Sequence, residues 1–326
     1  MKPKTSLFFI LLASLLALLI SPLFGHIRLS PQALTDFSQT SQEGFIFWNI
    51  RLPRTLLCWI TGAALAIGGM AFQALFRNDL STPFTLGVSG GAACGVALLT
   101  VIELPLLAGL GMALQPLGAF LGSLIAIAFI MGFHALRPRS NMSDLLLAGV
   151  ALSFIFNSLI LFMQYMANPD KIARMIHWMM GGMQIVGYQQ LLFIGPIVLI
   201  ACIIIFRLIP ALDLLSTGDD LASTRGLNVR RTQKLIFLAV SLMCAGVVSL
   251  CGPIGFVGLV APHICRRLLG PSHRYLFWAC LFFGGGFLCI CDLLCRVLPS
   301  SGELPLGVLT ALTGTPFFIY LLAKRK

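Results

Sequence analysis

Charge is what this chain has least of. Only 10% of its 326 residues are Asp, Glu, Lys or Arg, and only 11 are acidic, whereas an ordinary soluble domain is about 25% charged. With 58% of the residues hydrophobic, water cannot be the solvent for most of the surface. No polar stretch is long enough to fold as a soluble domain, the longest interruption running from Asp213 to Lys234. Internal repeats and low-complexity tracts are missing. So are segments of about ten residues alternating apolar with polar, the mark of a membrane-spanning β-barrel. A helical route across the bilayer is the one left open.

Reactive motifs are equally scarce. No G-x-x-x-x-G-K-S/T loop is present to cradle nucleotide phosphates, so the chain does not hydrolyse ATP unaided. Neither H-E-x-x-H nor G-x-S-x-G occurs. The sequence reads as a non-enzyme with no cofactor and no metal of its own. Ten cysteines do not reverse this. Cys58, Cys94, Cys202, Cys244, Cys280, Cys289 and Cys291 lie inside apolar runs, where a thiol packs as a small polarizable group. Cys291 and Cys295 share a helix face at a spacing that suits a metal, but packing is the favoured reading. A disulfide framework belongs to small extracellular domains.

What the chain has instead is long apolar runs. Ser6–Ile20, Thr55–Phe76, Leu145–Met163, Leu191–Phe206 and Leu235–Leu250 carry no charged residue. With their flanks, each approaches the roughly 20 residues an α-helix needs to cross the hydrocarbon core. The expectation is an all-α membrane protein, a single membrane domain over 1–326 with ten spans. They fall near 5–25, 52–76, 86–103, 110–134, 145–167, 190–209, 233–251, 254–268, 276–296 and 304–322. The first is read as an uncleaved helix, because no small-x-small cleavage site follows it. The eighth is short and broken by Gly255, Gly258 and Pro262, as a helix buried among others can be.

Basic residues orient this array. With a cytoplasmic N-terminus, sixteen of the 22 Lys and Arg fall inside, among them Arg77, Arg207, Arg230, Arg231, Lys234, Arg266 and Arg267. The six outside, Arg28, Arg51, Arg54, Lys171, Arg174 and Arg296, are matched by six acids, Asp36, Glu43, Glu103, Asp170, Asp292 and Glu303. The whole net charge of +11 therefore sits inside, as the positive-inside rule requires, and both termini are expected in the cytoplasm. The high pI is a topology signal, which removes nucleic acid as a partner.

Small residues four apart, Gly91 with Gly95 and Gly118 with Gly122, predict close helix contacts. Asp292 and Arg296, also four apart, can pair on one helix, with the Arg296 donors expected to emerge at the outer surface. A proton-coupled carrier keeps ionisable residues near mid-membrane. The candidates here, Asp292 and Glu303, fall near the outer ends of their spans, so a gradient-driven secondary transporter is the weaker alternative. Met163, Met166, Met175, Met179, Met180 and Met183 with His177 offer soft metal ligands, but methionine is also the usual filler of irregular apolar gaps, the preferred reading.

A series of blocks runs along the chain: Arg51-Leu-Pro-Arg54, Gly62-Ala-Ala-Leu-Ala, Arg77-Asn-Asp-Leu-Ser-Thr-Pro83, Leu86-Gly-Val-Ser-Gly-Gly-Ala92, Leu146-Leu-Ala-Gly-Val-Ala151 and Trp178-Met-Met-Gly-Gly182. After them come Gly218-Asp-Asp-Leu-Ala222 with Gly226, Gly252-Pro-Ile-Gly-Phe-Val-Gly-Leu-Val-Ala-Pro-His263, Glu303-Leu-Pro-Leu-Gly307 and Gly314-Thr-Pro-Phe317. In this order and at these intervals they resemble the FecCD-type permeases, ABC importer subunits that carry ferric siderophores, haem and vitamin B12.

The resemblance implies the type II ABC importer permease fold. It also implies a homodimer, or a pair with a homologous permease, two cytosolic ATPase subunits and a periplasmic substrate-binding protein. On it, the cytoplasmic segment 213–232 between spans six and seven forms coupling helices for the ATPase, with Gly218, Asp219, Ala222 and Gly226 at the matching positions. Arg51, Arg54 and Arg296 match arginines that dock the binding protein, and Asn141 and Ser143 fall at the cytoplasmic gate. Asp79 is a departure, because the family usually has proline there, and its loss is expected to leave the following loop freer.

Overall fold

The computed structural model describes residues 3–25, 27–37, 41–102, 114–136, 142–299 and 302–323. Among them every regular element is helical: α1 (Pro3–Ile20), α2 (Gln42–Phe45), α3 (Leu52–Phe76), α4 (Val88–Ile102), α5 (Leu114–Leu136), α6 (Met142–Met166), α7 (Pro169–Met179), α8 (Gln189–Arg207), α9 (Ile209–Thr217), α10 (Asp219–Thr224), α11 (Val229–Cys251), α12 (Val257–Leu269), α13 (His273–Val297) and α14 (Leu306–Ala323). A π-helical stretch, Ile46–Arg51, leads into α3. Among the described residues, seven helical stretches are long and apolar enough to cross a membrane, and α4 and α14 supply shorter apolar ones. Each expected span meets one of these or α12.

Two differences from expectation have local causes. The break near span eight lies before its helix: Gly252 and Phe256 take φ of +67° and +66°, and α12 begins at Val257 with Gly258 and Pro262 inside it. Phe256 tolerates a left-handed backbone rare for a non-glycine residue beside Gly314, where a Cβ would come within 2.4 Å of the Phe256 Cβ. The second difference is α7, a further helix between the spans expected at 145–167 and 190–209. Pro169 opens it, and the Asn168 side chain accepts from the Lys171 N–H at 3.0 Å, the ordinary start signals of a helix.

The chain divides into two compact units. The first comprises Met1–Met70, Gly182–Cys202 and Phe256–Lys326. Its packing turns on three consecutive glycines of α13. Gly284 meets α3, where a Cβ on Gly62 would lie 2.1 Å from the Gly284 carbonyl oxygen. Gly285 faces the Trp59 indole and Gly286 faces Ser14 of α1. The Trp59 Nε1 donates to Ser14 Oγ at 3.0 Å, so an aromatic needing a polar partner finds one across the same contact. Gly69 meets Gly258 of α12 still more closely, a Cβ there falling 1.7 Å from the Gly258 oxygen.

The second unit comprises Ala71–Gly181 and Ile203–Gly255. Here the two glycine pairs read from sequence face one another. A Cβ on Gly91 would come within 2.4 Å of the Gly122 oxygen, and one on Gly95 within 2.0 Å of the Gly118 oxygen, so α4 and α5 touch backbone to backbone. Ala93, Ala97, Ile160 and Met175 form a buried cluster with Met163 and Trp178 against it. The Trp178-to-Gly182 block and the Gly252-Pro253 block also meet: Cβ atoms on Gly181 and Gly252 would fall 2.5 Å from the Pro253 oxygen and 2.6 Å from the Trp178 oxygen.

Candidate functional site

Within the first unit, five charged side chains converge at the start of α3 and the end of α13. Arg54 is their hub. Its Nε and Nη2 donate to one oxygen of Asp292 at 2.9 and 2.8 Å, and its Nη1 donates to both oxygens of Glu303 at 3.0 and 2.8 Å. Arg296 places Nε 2.9 Å from the other Asp292 oxygen, a charge contact out of hydrogen-bond alignment. It spends its remaining donors on the Phe24 carbonyl at 3.1 Å and on the carbonyl and hydroxyl of Ser21 at 3.2 and 2.8 Å. Arg51 donates to the carbonyls of Leu23 at 3.2 Å and of Ile27.

The chemistry of this knot follows from burial. Asp292 is wholly buried and the Glu303 side chain is 47% exposed. A buried carboxylate is tolerable only when paired and hydrogen-bonded; Arg54 supplies charge and two hydrogen bonds, and Arg296 adds a second charge. The i, i+4 pairing of Asp292 with Arg296 is present. The expectation that Arg296 aims its fork at solvent is not met: Arg296 is 4% and Arg51 6% exposed. The chain after α1 folds back and offers carbonyls that the sequence does not advertise as acceptors, and both arginines turn inward to them.

In the second unit, Ile209–Asn228 is a built helix–turn–helix element. Gly218 separates α9 from α10 with φ +126°, and Gly226 ends the second turn with φ +82°, backbone states that favour glycine. Ala222 is fully buried, and its carbonyl accepts the Leu227 N–H at 3.1 Å. Asn228 caps α11 through the Arg231 N–H at 3.1 Å. Asp219, first in α10, has one oxygen 3.3 Å from Arg77 Nη2 and accepts from Gln233 Nε2 at 3.2 Å.

A family model described as the FecCD transport family matches residues 11–324. The chain belongs to this family. It is 34% identical over 325 residues to the hemin transport system permease protein of Yersinia pestis, covering 100% of this chain and 97% of that one. It is 38% identical over 321 residues to the vitamin B12 import system permease protein of Klebsiella pneumoniae subsp. pneumoniae, covering 98% and 94%. A solved metal-chelate type ABC transporter in an inward-facing conformation superposes with a TM-score of 0.85 at 30% identity, over 99% of this chain and 100% of that one. This FecCD-family chain is therefore a multi-pass inner-membrane protein with the fold of ABC importer permeases.

The family's other expected positions fall as follows. Asn141 lies outside the described residues, and Ser143 is exposed in the first turn of α6. Asp79 replaces the family's proline, yet the turn is closed by Asn78, whose side chain accepts the Leu80 N–H and whose carbonyl accepts the Ser81 N–H, both at 3.0 Å. Of the methionines, Met175 and Met183 are buried and Met166 is exposed. Sequence reasoning missed Arg77 and Gln233 as partners of Asp219. The only signal was a basic residue opening one block and an acidic one following the glycine that opens another.

Proposed function

We propose that this chain is the permease subunit of a bacterial ABC importer that carries an iron chelate, a ferric siderophore or haem, or a cobalamin across the inner membrane. The relation along the whole chain to hemin and vitamin B12 permeases carries the reading. Two copies, or one copy beside a homologous permease, form the path, with both termini in the cytoplasm. Two ATPase subunits engage segment 213–232, and a periplasmic binding protein docks on the arginine knot. Asn141 and Ser143 lie at the cytoplasmic gate. Proteoliposomes holding the chain, its ATPase and its binding protein are expected to take up haemin, a ferric siderophore or cyanocobalamin only with ATP inside the ATPase compartment. Uptake that survives omission of the ATPase would sink the idea and favour a gradient-driven carrier.

Within the knot, docking falls first on Arg54. Its Glu303 partner is half exposed and exchangeable for a carboxylate of the binding protein. Arg51 and Arg296 hold the carbonyls of Ser21, Leu23, Phe24 and Ile27 that frame it. Charge pairs of this kind set encounter rate and orientation more than affinity. Arg54→Glu is expected to lower binding-protein association at least about tenfold, mainly in the on-rate, while the ATPase still co-purifies. Unchanged association on a biosensor surface would remove Arg54 from the docking face.

A further inference from the structure

The α3 helix ends at Phe76, and the residue after it is unusual. Arg77 holds φ +50°, a left-handed backbone that a non-glycine residue adopts only when its surroundings impose it. Glycine or asparagine is the ordinary choice at such a helix end. Arginine here points to the side chain as the reason, and the side chain has one visible task. Its Nη1 lies over Gly218, where a Cβ would be 3.6 Å away, and its Nη2 stands 3.3 Å from the Asp219 carboxylate.

The same carboxylate accepts from Gln233 of α11, and Gln233 is buried. Asp219 is thus the junction of three elements: the end of α3, the first residue of α10 and the first turns of α11. Ala222, one turn on, is fully buried and plugs α10 against the body of its unit. The Arg77 and Asp219 side chains are 43% and 39% exposed, so the pair contributes little to folding stability. An exposed pair set on a strained backbone, at the segment proposed to meet the ATPase, is placed to fix geometry.

We propose that Arg77, Asp219 and Gln233 form a clamp that makes the end of α3 move with the coupling segment, so that an ATPase push on α10 reaches the spanning helix. Arg77 is a positioning residue acting through Asp219. This rests on the reading of segment 213–232 as the ATPase-coupling element. The physics is that of a packed, two-state junction, in which a small shift at one element displaces a rigid neighbour. Leu221, between Asp220 and Ala222, is 59% exposed and is the apolar group of α10 left to face the ATPase.

The test uses the full chain co-purified with its ATPase in nanodiscs. A Leu80→Cys substitution carries an environment-sensitive fluorophore just beyond α3, at a position 43% exposed. MgATP with vanadate is expected to shift the fluorophore's emission. Arg77→Gln and Asp219→Asn are expected to reduce that shift about fivefold or more, and the swap R77D/D219R to restore it to within about twofold of the parent, the pattern of two directly coupled residues. Arg77→Gly separates strain from charge. It suits the left-handed backbone, so the thermal midpoint stays equal or rises while the shift is lost.

Leu221→Asp serves as the control, losing the ATPase from the complex without altering the thermal midpoint. If the parent complex binds no ATPase, the coupling reading fails and the clamp falls with it. If the ATPase binds but the parent shows no shift, or the Arg77 and Asp219 variants shift as the parent does, or the swap fails to rescue, the clamp alone is overturned.

Discussion

Asp292→Ala is expected to destabilise the protein by about 3–5 kcal/mol, the usual cost of breaking a buried ion pair by removing one partner. The carboxylate is wholly buried and takes charge from two arginines at once. Its loss leaves Arg54 with Glu303 alone and Arg296, itself buried, with carbonyls and a hydroxyl only. Desolvation of a guanidinium is offset by a carboxylate far better than by neutral oxygens. Glu303→Gln is the contrast within the same knot. Its partner is the same Arg54, but its side chain is 47% exposed, and exposed pairs contribute about 0–1 kcal/mol. Chemical denaturation of the detergent-solubilised protein compares the two. Equal losses would mean that the knot is held by its exposed arm, contrary to its geometry. The triple replacement of Asp292, Arg54 and Arg296 by apolar residues of similar volume is expected to recover much of the loss, since the penalty lies in the orphaned charges.

That knot also shows where sequence stops being legible. Arg51, Arg54 and Arg296 stand out because basic residues are scarce on the face that the charge count assigns to the outside. The i, i+4 spacing of Asp292 and Arg296 yields their pairing outright, since helical geometry is local. Which way the Arg296 fork turns depends on the carbonyls of Ser21 and Phe24 being brought to it, a non-local event with no period to announce it. The pairing of Asp219 with Arg77 across 142 positions (219 − 77) is equally silent. By contrast, the span at 52–76 coincides with α3, because the charge-free run Thr55–Phe76, with Pro53 and Arg54 before it and Arg77-Asn78 after it, leaves little choice. Of the three residues expected to break span eight, Gly255 lies in the irregular stretch before α12 while Gly258 and Pro262 lie inside the helix, because glycine and proline mark irregular backbone without saying on which side it falls. A short helix such as α7, too polar to resemble a span and too short to show a long period, hides between its neighbours.

The glycines were the most informative residues of all, and they carry the second large effect. Gly91, Gly95, Gly118 and Gly122 were legible as a contact because spacing of four puts them on one helix face, and α4 and α5 do meet along them. Gly95→Ala adds a single methyl group, but its Cβ would sit 2.0 Å from the Gly118 carbonyl oxygen. That oxygen belongs to a helix backbone and cannot rotate aside as a flexible side chain would. The two helices must separate along their length, loosening the contacts of Gly91 with Gly122 and of Ala126 beside them. Overpacking of this kind costs about 1–3 kcal/mol and more where backbone must move, and the alanine's better helix propensity, worth up to about 1 kcal/mol, works in the opposite direction. The comparison variant is Gly132→Ala on α5, where nothing lies within 4 Å of the added Cβ and only the propensity gain of about 0.5–1 kcal/mol should remain. Thermal midpoints in detergent are expected to move in opposite directions, down for Gly95→Ala and level or up for Gly132→Ala. Two alanines that behave alike would show that α4 and α5 have slack where the geometry has none.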